Sequence, residues 1–287
     1  MKVLLLGASG MLGSMLYKQL VLDDRYDVAG TVRGSAISEY FSEQEQSTLI
    51  PGIDVLDFDS LLSLLNTVRP DVVINCVGLI KQVSTANDPL KVLPVNAMLP
   101  HRLCKLCELT GARLIHISTD CVFSGSTGGY TEASISDSAD LYGKSKFIGE
   151  VIDSTSAITL RTSIIGHELS TNKSLIDWFL SQHGRVNGYS HAVFSGLPTI
   201  ELSRVIMDHV LPRPELHGLY HVSSEPINKE ALLRLVARQY EKSIEIIPDD
   251  SLVIDRSLRS DKFKHATGYT APGWDVLVKQ MFENKQY

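Results

Sequence analysis

Tyr142 and Lys146 stand four residues apart in LYGKSKFIGE. A phenol is a poor proton shuttle at neutral pH, because its unperturbed pKa is about 10. A nearby ammonium favours the phenolate and brings that value down. On a helix, positions i and i+4 share a face, so both side chains can address one site. Upstream, the apolar run ARLIHIST ends in two hydroxyls, Ser118 and Thr119, either of which could hold a carbonyl or an alcohol. Hydroxyl, tyrosine and lysine together describe proton delivery to an oxygen.

The start of the chain says what such a site would work with. KVLLLGASGMLG sets Gly7, Gly10 and Gly13 between an apolar run and an amphipathic one. Glycines at this spacing allow a tight turn, close backbone approach to a pyrophosphate and close packing of helix on strand. Ser9, Met11 and Leu12 then occupy the turn and the helix start, where free N–H groups face phosphates. An NAD site places an acid about 20 residues on, at the end of the second strand, to hold the ribose 2′-hydroxyl. Here that strand ends GTVRG, with Arg33 in the acid's place and Asp27 before the strand. A guanidinium suits a 2′-phosphate, so NADP is expected over NAD. A dinucleotide beside a Tyr/Lys pair reads as hydride transfer.

The elements that must position these groups follow from periodicity. Strands are expected over KVLLLG, DVAGTVR, IDVLD, PDVVINCVG, ARLIHIST and AITLRTSIIG. Helices are expected over Met11 to Leu22, FDSLLSLLNTV, Pro94 to Leu109 and Tyr142 to Ile152. Continuous apolar strands alternating with helices predict an α/β fold, a Rossmann-type doubly wound parallel sheet. Beyond Gly166 the text becomes loop-rich around HGRVNGYSHAVFSGLPT. Helices over IELSRVIMDHVL and NKEALLRLVARQYEK and strands over GLYHVSS and SIEIIPDD follow. We expect a dinucleotide domain over 1–166 and a smaller, dependent C-terminal α/β substrate lobe over 167–287.

Composition excludes several classes. With 287 residues, 44% hydrophobic and 21% charged, the chain is ordinary for a globular protein. A net charge of -6 predicts no basic face, and so no nucleic acid partner. The N-terminal apolar run has about five residues and nothing reaches about 18, which points to a cytoplasmic protein without membrane segments. Cys104 and Cys107 form C-x-x-C on a helical pattern. With no second pair to complete a zinc site, they are expected in the core and no metal is expected. NKS at Asn172 is a sequon without a secretion signal. His116 is expected to pack in a core strand, Trp178 and Trp274 to anchor the second lobe, and His167–Glu168 to line either the substrate or a loop.

Taken together, these segments resemble the extended short-chain dehydrogenase/reductases, most of all the branch of dTDP-4-dehydrorhamnose reductase and its relatives. GASGMLG matches the cofactor loop. DVLD resembles the adenine-side segment, which implies cofactor contacts at Asp54 and Val55. NCVG resembles the strand whose Cys76, Val77 and Gly78 would flank ribose and nicotinamide. VNAMLP carries Asn96. STDCVFSG resembles S-T-D-Y-V-F-x-G, which implies Thr119 as the catalytic hydroxyl and Asp120 beside the substrate. YGKSKFIGE and LRTSIIG complete the series. Cys121 replaces the family's aromatic, and Ile164–Ile165–Gly166 stand for W-V-Y. Lys81 and Gln82 would face the substrate, and Arg185 could meet a diphosphate. The resemblance implies NADPH-dependent reduction of the 4-keto group of a nucleotide-linked 6-deoxyhexose. Tyr142 would give the proton, Thr119 would polarise the carbonyl, and Lys146 would lower the tyrosine pKa and hold the ribose. It also implies a homodimer through the tyrosine helix. Two alternatives stand: an epimerase or dehydratase with bound NAD, or a non-enzymatic NADP-binding regulatory subunit. Dehydratases place an acid pair after the hydroxyl, where this chain has Asp120 and Cys121. Regulatory relatives lose parts of the triad, which is complete here.

Overall fold

A computed structural model describes residues 1–34, 39–81, 87–170 and 173–285. The apolar runs form β1 (Lys2–Leu6), β2 (Asp27–Val32), β3 (Leu49–Pro51), β4 (Val72–Asn75), β5 (Arg113–Thr119) and β6 (Ala157–Thr162). With an edge strand, Gly218–His221, they build one seven-stranded sheet in the order edge strand, β6, β5, β4, β1, β2, β3. Every neighbouring pair is parallel. Alternate residues feed two cores. Val3, Leu5, Ile74, Ile115 and Ile158 pack with Leu12, Leu16 and Leu20 of helix α1 (Met11–Val21). Leu4, Leu6, Val73 and Leu114 pack on the opposite face with Leu61, Leu65 and Leu103. Burial on both faces explains why these strands read as continuous apolar runs.

The fold is the expected Rossmann-type α/β sheet, with four local differences. The third strand is Leu49–Pro51, pairing with Gly30 to Val32, and IDVLD is a turn. There the Asp54 carboxylate accepts from the Leu56 N–H at 2.9 Å, a local bond that competes with strand pairing. The helix expected from Pro94 is preceded by Pro89–Leu93 and runs through a π-type turn, Pro94–Met98, into Leu99–Thr110. The tyrosine helix spans Leu141–Ile148 and stops at Gly149. Trp274 is buried and its indole N–H donates to the Glu225 carbonyl at 2.7 Å, whereas Trp178 is exposed rather than buried. Cys104 and Cys107 lie in the second core. No described helix is long and apolar enough to cross a membrane. The sequon at Asn172 lies outside the described residues.

The second half of the chain adds more than a lobe, since its strand Gly218–His221 closes the main sheet against β6. It also forms a small sheet, Ala192–Phe194 between Ile227–Asn228 and Ile254–Asp255, and a pair, Arg185–Tyr189 with Glu245–Asp249.

A buried ion pair ties this arrangement together. Arg161 on β6 donates to both Glu150 oxygens, at 2.8 and 2.5 Å, and both side chains are about 97% removed from solvent or more. Ser118 donates to the same carboxylate at 2.7 Å. Arg161 also contacts His221 Nε2 at 3.0 Å and lies 5.0 Å from the Phe123 ring centre. A guanidinium only donates, so Nε2 accepts and the His221 proton sits on Nδ1, facing the Tyr130 carbonyl at 3.2 Å. Burial and the adjacent Arg161 push His221 down to about 3, which keeps it neutral. Removing one member of a buried pair leaves the other charge uncompensated, at about 3–5 kcal/mol. Glu150→Ala should therefore lower the denaturation midpoint strongly, and adding Arg161→Met should recover part of the loss. A single variant that melts with the wild type would refute this account.

Candidate active site

Parallel strands bring their carboxyl ends to one edge, and the strand order reverses between β1 and β4. Open α/β sheets take ligands in the crevice at that point. The glycine turn follows β1 directly. Gly7 has φ +88°, and a Cβ on Gly13 would overlap the Gly7 carbonyl oxygen, so α1 starts flush against the strand end. Gly10 caps α1 without any side-chain bond, which leaves the first N–H groups open to a phosphate. Ser9 and Gly10 are exposed and Met11 is partly so, while Leu12 is buried in the core and could offer only its backbone. The turn abuts Val77 after β4, whose Cγ2 a Cβ on Gly7 would meet at 3.0 Å. Arg33 is exposed at the end of β2 and makes no hydrogen bond or ion pair among the described residues. Asp54 is exposed, with one carboxylate oxygen used by its own turn, and Val55 packs on the second core. Cys76 and Val77 are partly buried and Gly78 is exposed. The turn, the open helix start and the free guanidinium fit a phosphorylated dinucleotide.

The chemical groups sit one strand further along. Ser118 is turned toward Glu150, and Thr119 is the hydroxyl that faces the Tyr142 phenol. Thr119 Oγ1 donates to Asp120 at 3.2 Å and accepts from the Cys121 N–H at 3.1 Å. Lys146 is buried, and its ammonium donates to the Ile117 carbonyl at 2.7 Å. Desolvation lowers it to about 8, with Glu150 and then Cys76 opposing. Burial pushes the Cys76 thiol up to about 12, so it stays neutral.

The tyrosine corrects one expectation. Burial pushes the Tyr142 phenol well above its ordinary value, with the neighbouring Cys121 acting in the same sense and Thr119 against it. The phenol is thereby held in its protonated form. Its helix is fixed from two sides. Asp140 caps it, accepting from the Gly143 N–H at 2.8 Å. Asn96 bridges to it, donating to Ser145 Oγ at 3.3 Å while exchanging two bonds with the Leu79 backbone at 2.8 and 2.9 Å.

Lys81 ion-pairs with Asp140 at 2.6 Å and its ammonium lies 5.6 Å from the Tyr142 ring centre, so it borders the site. Gln82 lies outside the described residues. Asp120 is buried beside Thr119, and burial raises its pKa, with Arg256 and Lys229 among the opposing charges. Arg185 is not brought to this group. It is exposed at the start of a strand paired with Glu245–Asp249 and makes no ion pair among the described residues. His116 is buried and contacts Asn75 Nδ2 at 3.2 Å. His167 is held between Asp177 at 2.6 Å and the Tyr240 hydroxyl at 2.8 Å, a loop-fixing role. Sequence reasoning missed Asp140, although an Asp before LYGKSK is a helix start signal. It also missed Lys229 and Arg256, which no local motif marks.

Known proteins share this fold. The chain is 26% identical over 234 residues to the dTDP-4-dehydrorhamnose reductase of Aggregatibacter actinomycetemcomitans, covering 78% of this chain and 74% of that one. It is 30% identical over 149 residues to methionine adenosyltransferase 2 subunit beta of Mus musculus, covering 52% of this chain and only 41% of that protein's length. The crystal structure of dTDP-4-dehydrorhamnose reductase from Bacillus anthracis in complex with NADP superposes with a TM-score of 0.81 at 19% identity, covering 99% of each chain. A family model described as RmlD substrate binding domain matches residues 1–286, and the chain belongs to that family.

Proposed function

We propose that this chain uses NADPH to reduce the 4-keto group of a nucleotide-linked 6-deoxyhexose. The observation that carries the reading is Tyr142 facing Thr119, with buried Lys146 behind them, at the sheet edge that also bears the glycine turn. The names of the reductase relatives, one of them solved with NADP, support it. When bound, NADPH supplies a hydride to the carbonyl carbon. Tyr142, protonated by virtue of its burial, gives its proton to the carbonyl oxygen. Thr119 turns its hydroxyl from Asp120 to that oxygen and orients it. Lys146 keeps donors beyond the one given to Ile117, which suit a ribose hydroxyl, and its charge stabilises the phenolate left behind. The N–H groups of Ser9, Met11 and Leu12 would hold the pyrophosphate, Arg33 the 2′-phosphate, Asp54 and Val55 the adenine side, and Cys76 to Gly78 the nicotinamide ribose. The lobe beyond residue 166 would close over the nucleotide sugar.

The outer side of the tyrosine helix and its neighbour exposes Met98, Phe147, Ile148 and Ile152, each about half accessible. We assign the expected homodimer contact to this face. Light scattering should give twice the chain mass and a monomer for Phe147→Glu; a monomeric wild type removes the assignment.

Tyr142→Phe should retain NADPH affinity and lose about 10²–10⁴-fold in turnover on dTDP-, UDP-, GDP- or CDP-linked 4-keto sugars. In the wild type, kcat/KM for NADPH reports the cofactor-free protein. It should be level below about pH 8 and fall above it, as Lys146 loses the proton that burial already loosens. Full activity in Tyr142→Phe contradicts the proton-donor role, and a flat profile to about pH 10 contradicts the Lys146 role. Arg33→Ala should raise KM for NADPH about tenfold and leave NADH unaffected. A wild type that prefers NADH, with that preference unchanged in the variant, would sink the NADP assignment.

A further inference from the structure

The helix that carries the reactive phenol is capped by a group whose charge opposes the reaction. Tyr142 is the second residue of Leu141–Ile148, and Asp140 is the N-cap. Proton transfer leaves an anion on the phenol oxygen. The positive end of the helix favours that anion. Besides burial, Cys121, Asp120 and Asp140 all oppose it, while Thr119 favours it. A neutral Asn or Ser caps a helix as well as Asp does. Capping alone therefore does not account for the charge at position 140.

Lys81 does account for it. One Asp140 oxygen accepts from the Gly143 N–H at 2.8 Å, and the other from the Lys81 ammonium at 2.6 Å. Partial burial opposes ionisation of Asp140, but these two bonds hold its carboxyl below the ordinary value, with Arg256 acting in the same sense. The same ammonium lies 5.6 Å from the Tyr142 ring centre and acts on the Cys121 thiol. Lys81 comes from the segment after β4 and Asp140 from the start of the tyrosine helix, so their pair joins two elements at the rim of the site. The remaining cations are engaged elsewhere. Lys146 donates to the Ile117 carbonyl, and Lys229 and Arg256 face Asp120 and Cys121. Both members of the Lys81–Asp140 pair are partly exposed, at 35% and 45%. Water screens such a pair, and a ligand seated over the site removes that water.

We infer that Lys81 is a positioning residue for proton transfer: through its pair with Asp140 it cancels the capping carboxylate and favours the Tyr142 phenolate once a cofactor covers the site. This deepens the reductase reading and rests on it for the role of the phenol.

The test is a pH titration of phenolate absorbance in the full chain saturated with NADP⁺. Subtracting the curve of Tyr142→Phe isolates the Tyr142 step. Lys81→Met keeps the stem without the charge, and Asp140→Asn keeps the cap without the charge. NADP⁺ affinity checks that each variant is folded. The wild-type step should lie below about pH 11. Lys81→Met should move it up by about one unit. Adding Asp140→Asn should return it toward the wild type, and Lys81→Arg should leave it in place. A merely structural Lys81 would alter affinity or melting and leave the step unmoved. The inference is overturned by an unmoved step in Lys81→Met, or by a double variant that titrates like Lys81→Met. A wild type with no Tyr142 step below about pH 11 overturns it as well. The readout needs no substrate. A protein that shows these shifts yet reduces no keto sugar nucleotide keeps the Lys81 assignment and loses the reductase reading.

Discussion

The ion pair of Glu150 and Arg161 is the constraint to which the rest of the site is referred. Its carboxylate stands just past the end of the tyrosine helix, its guanidinium grows from β6, and Ser118 joins it from β5. Ser118 is thereby turned away, and the alternation of a strand sends Thr119 to the other side. The same carboxylate lies one helical turn beyond Lys146 and favours its charged form against desolvation. One buried acid therefore selects which hydroxyl faces the phenol and helps the buried lysine keep its proton up to about pH 8. Buried pairs are weak contributors to net stability, but a misplaced partner is heavily penalised, which makes them effective at specifying one geometry.

Close backbone approach does the remaining positioning. A Cβ on Gly149 would overlap the Asn96 carbonyl, and one on Gly143 would overlap the Cys121 carbonyl and Ser138 Oγ. The tyrosine helix is thus sunk at both ends against neighbouring backbone, and Asn96 pins the loop after β4 to it. Cys121 leaves a small neutral side chain beside the phenol, with burial raising its thiol to about 11.

Much of this was legible from local text. The glycine turn, the YGKSK helix and the STD strand end each combine residue type with an element that periodicity defines, and parallel pairing then carries them to one edge. IDVLD was misread because its apolar alternation is real, yet two aspartates spend their carboxylates on turn and cap bonds. Arg185 was named by residue type alone, and it stands exposed on a strand paired with Glu245–Asp249. Lys229 and Arg256 were invisible for the converse reason. Their proximity comes from two strands flanking a third, and nothing within a few residues of either announces it.

The edge strand Gly218–His221 has a consequence for how the chain reaches this state. A polypeptide emerging from the ribosome holds six strands of the sheet well before the seventh exists, with β6 presenting an unpaired edge in the interval. Such edges template pairing with other chains, and contacts this distant in sequence form slowly. The nascent protein thus passes through a stage in which its nucleotide-binding half is nearly built but still adhesive. Completion of that half's sheet therefore waits on residues far downstream.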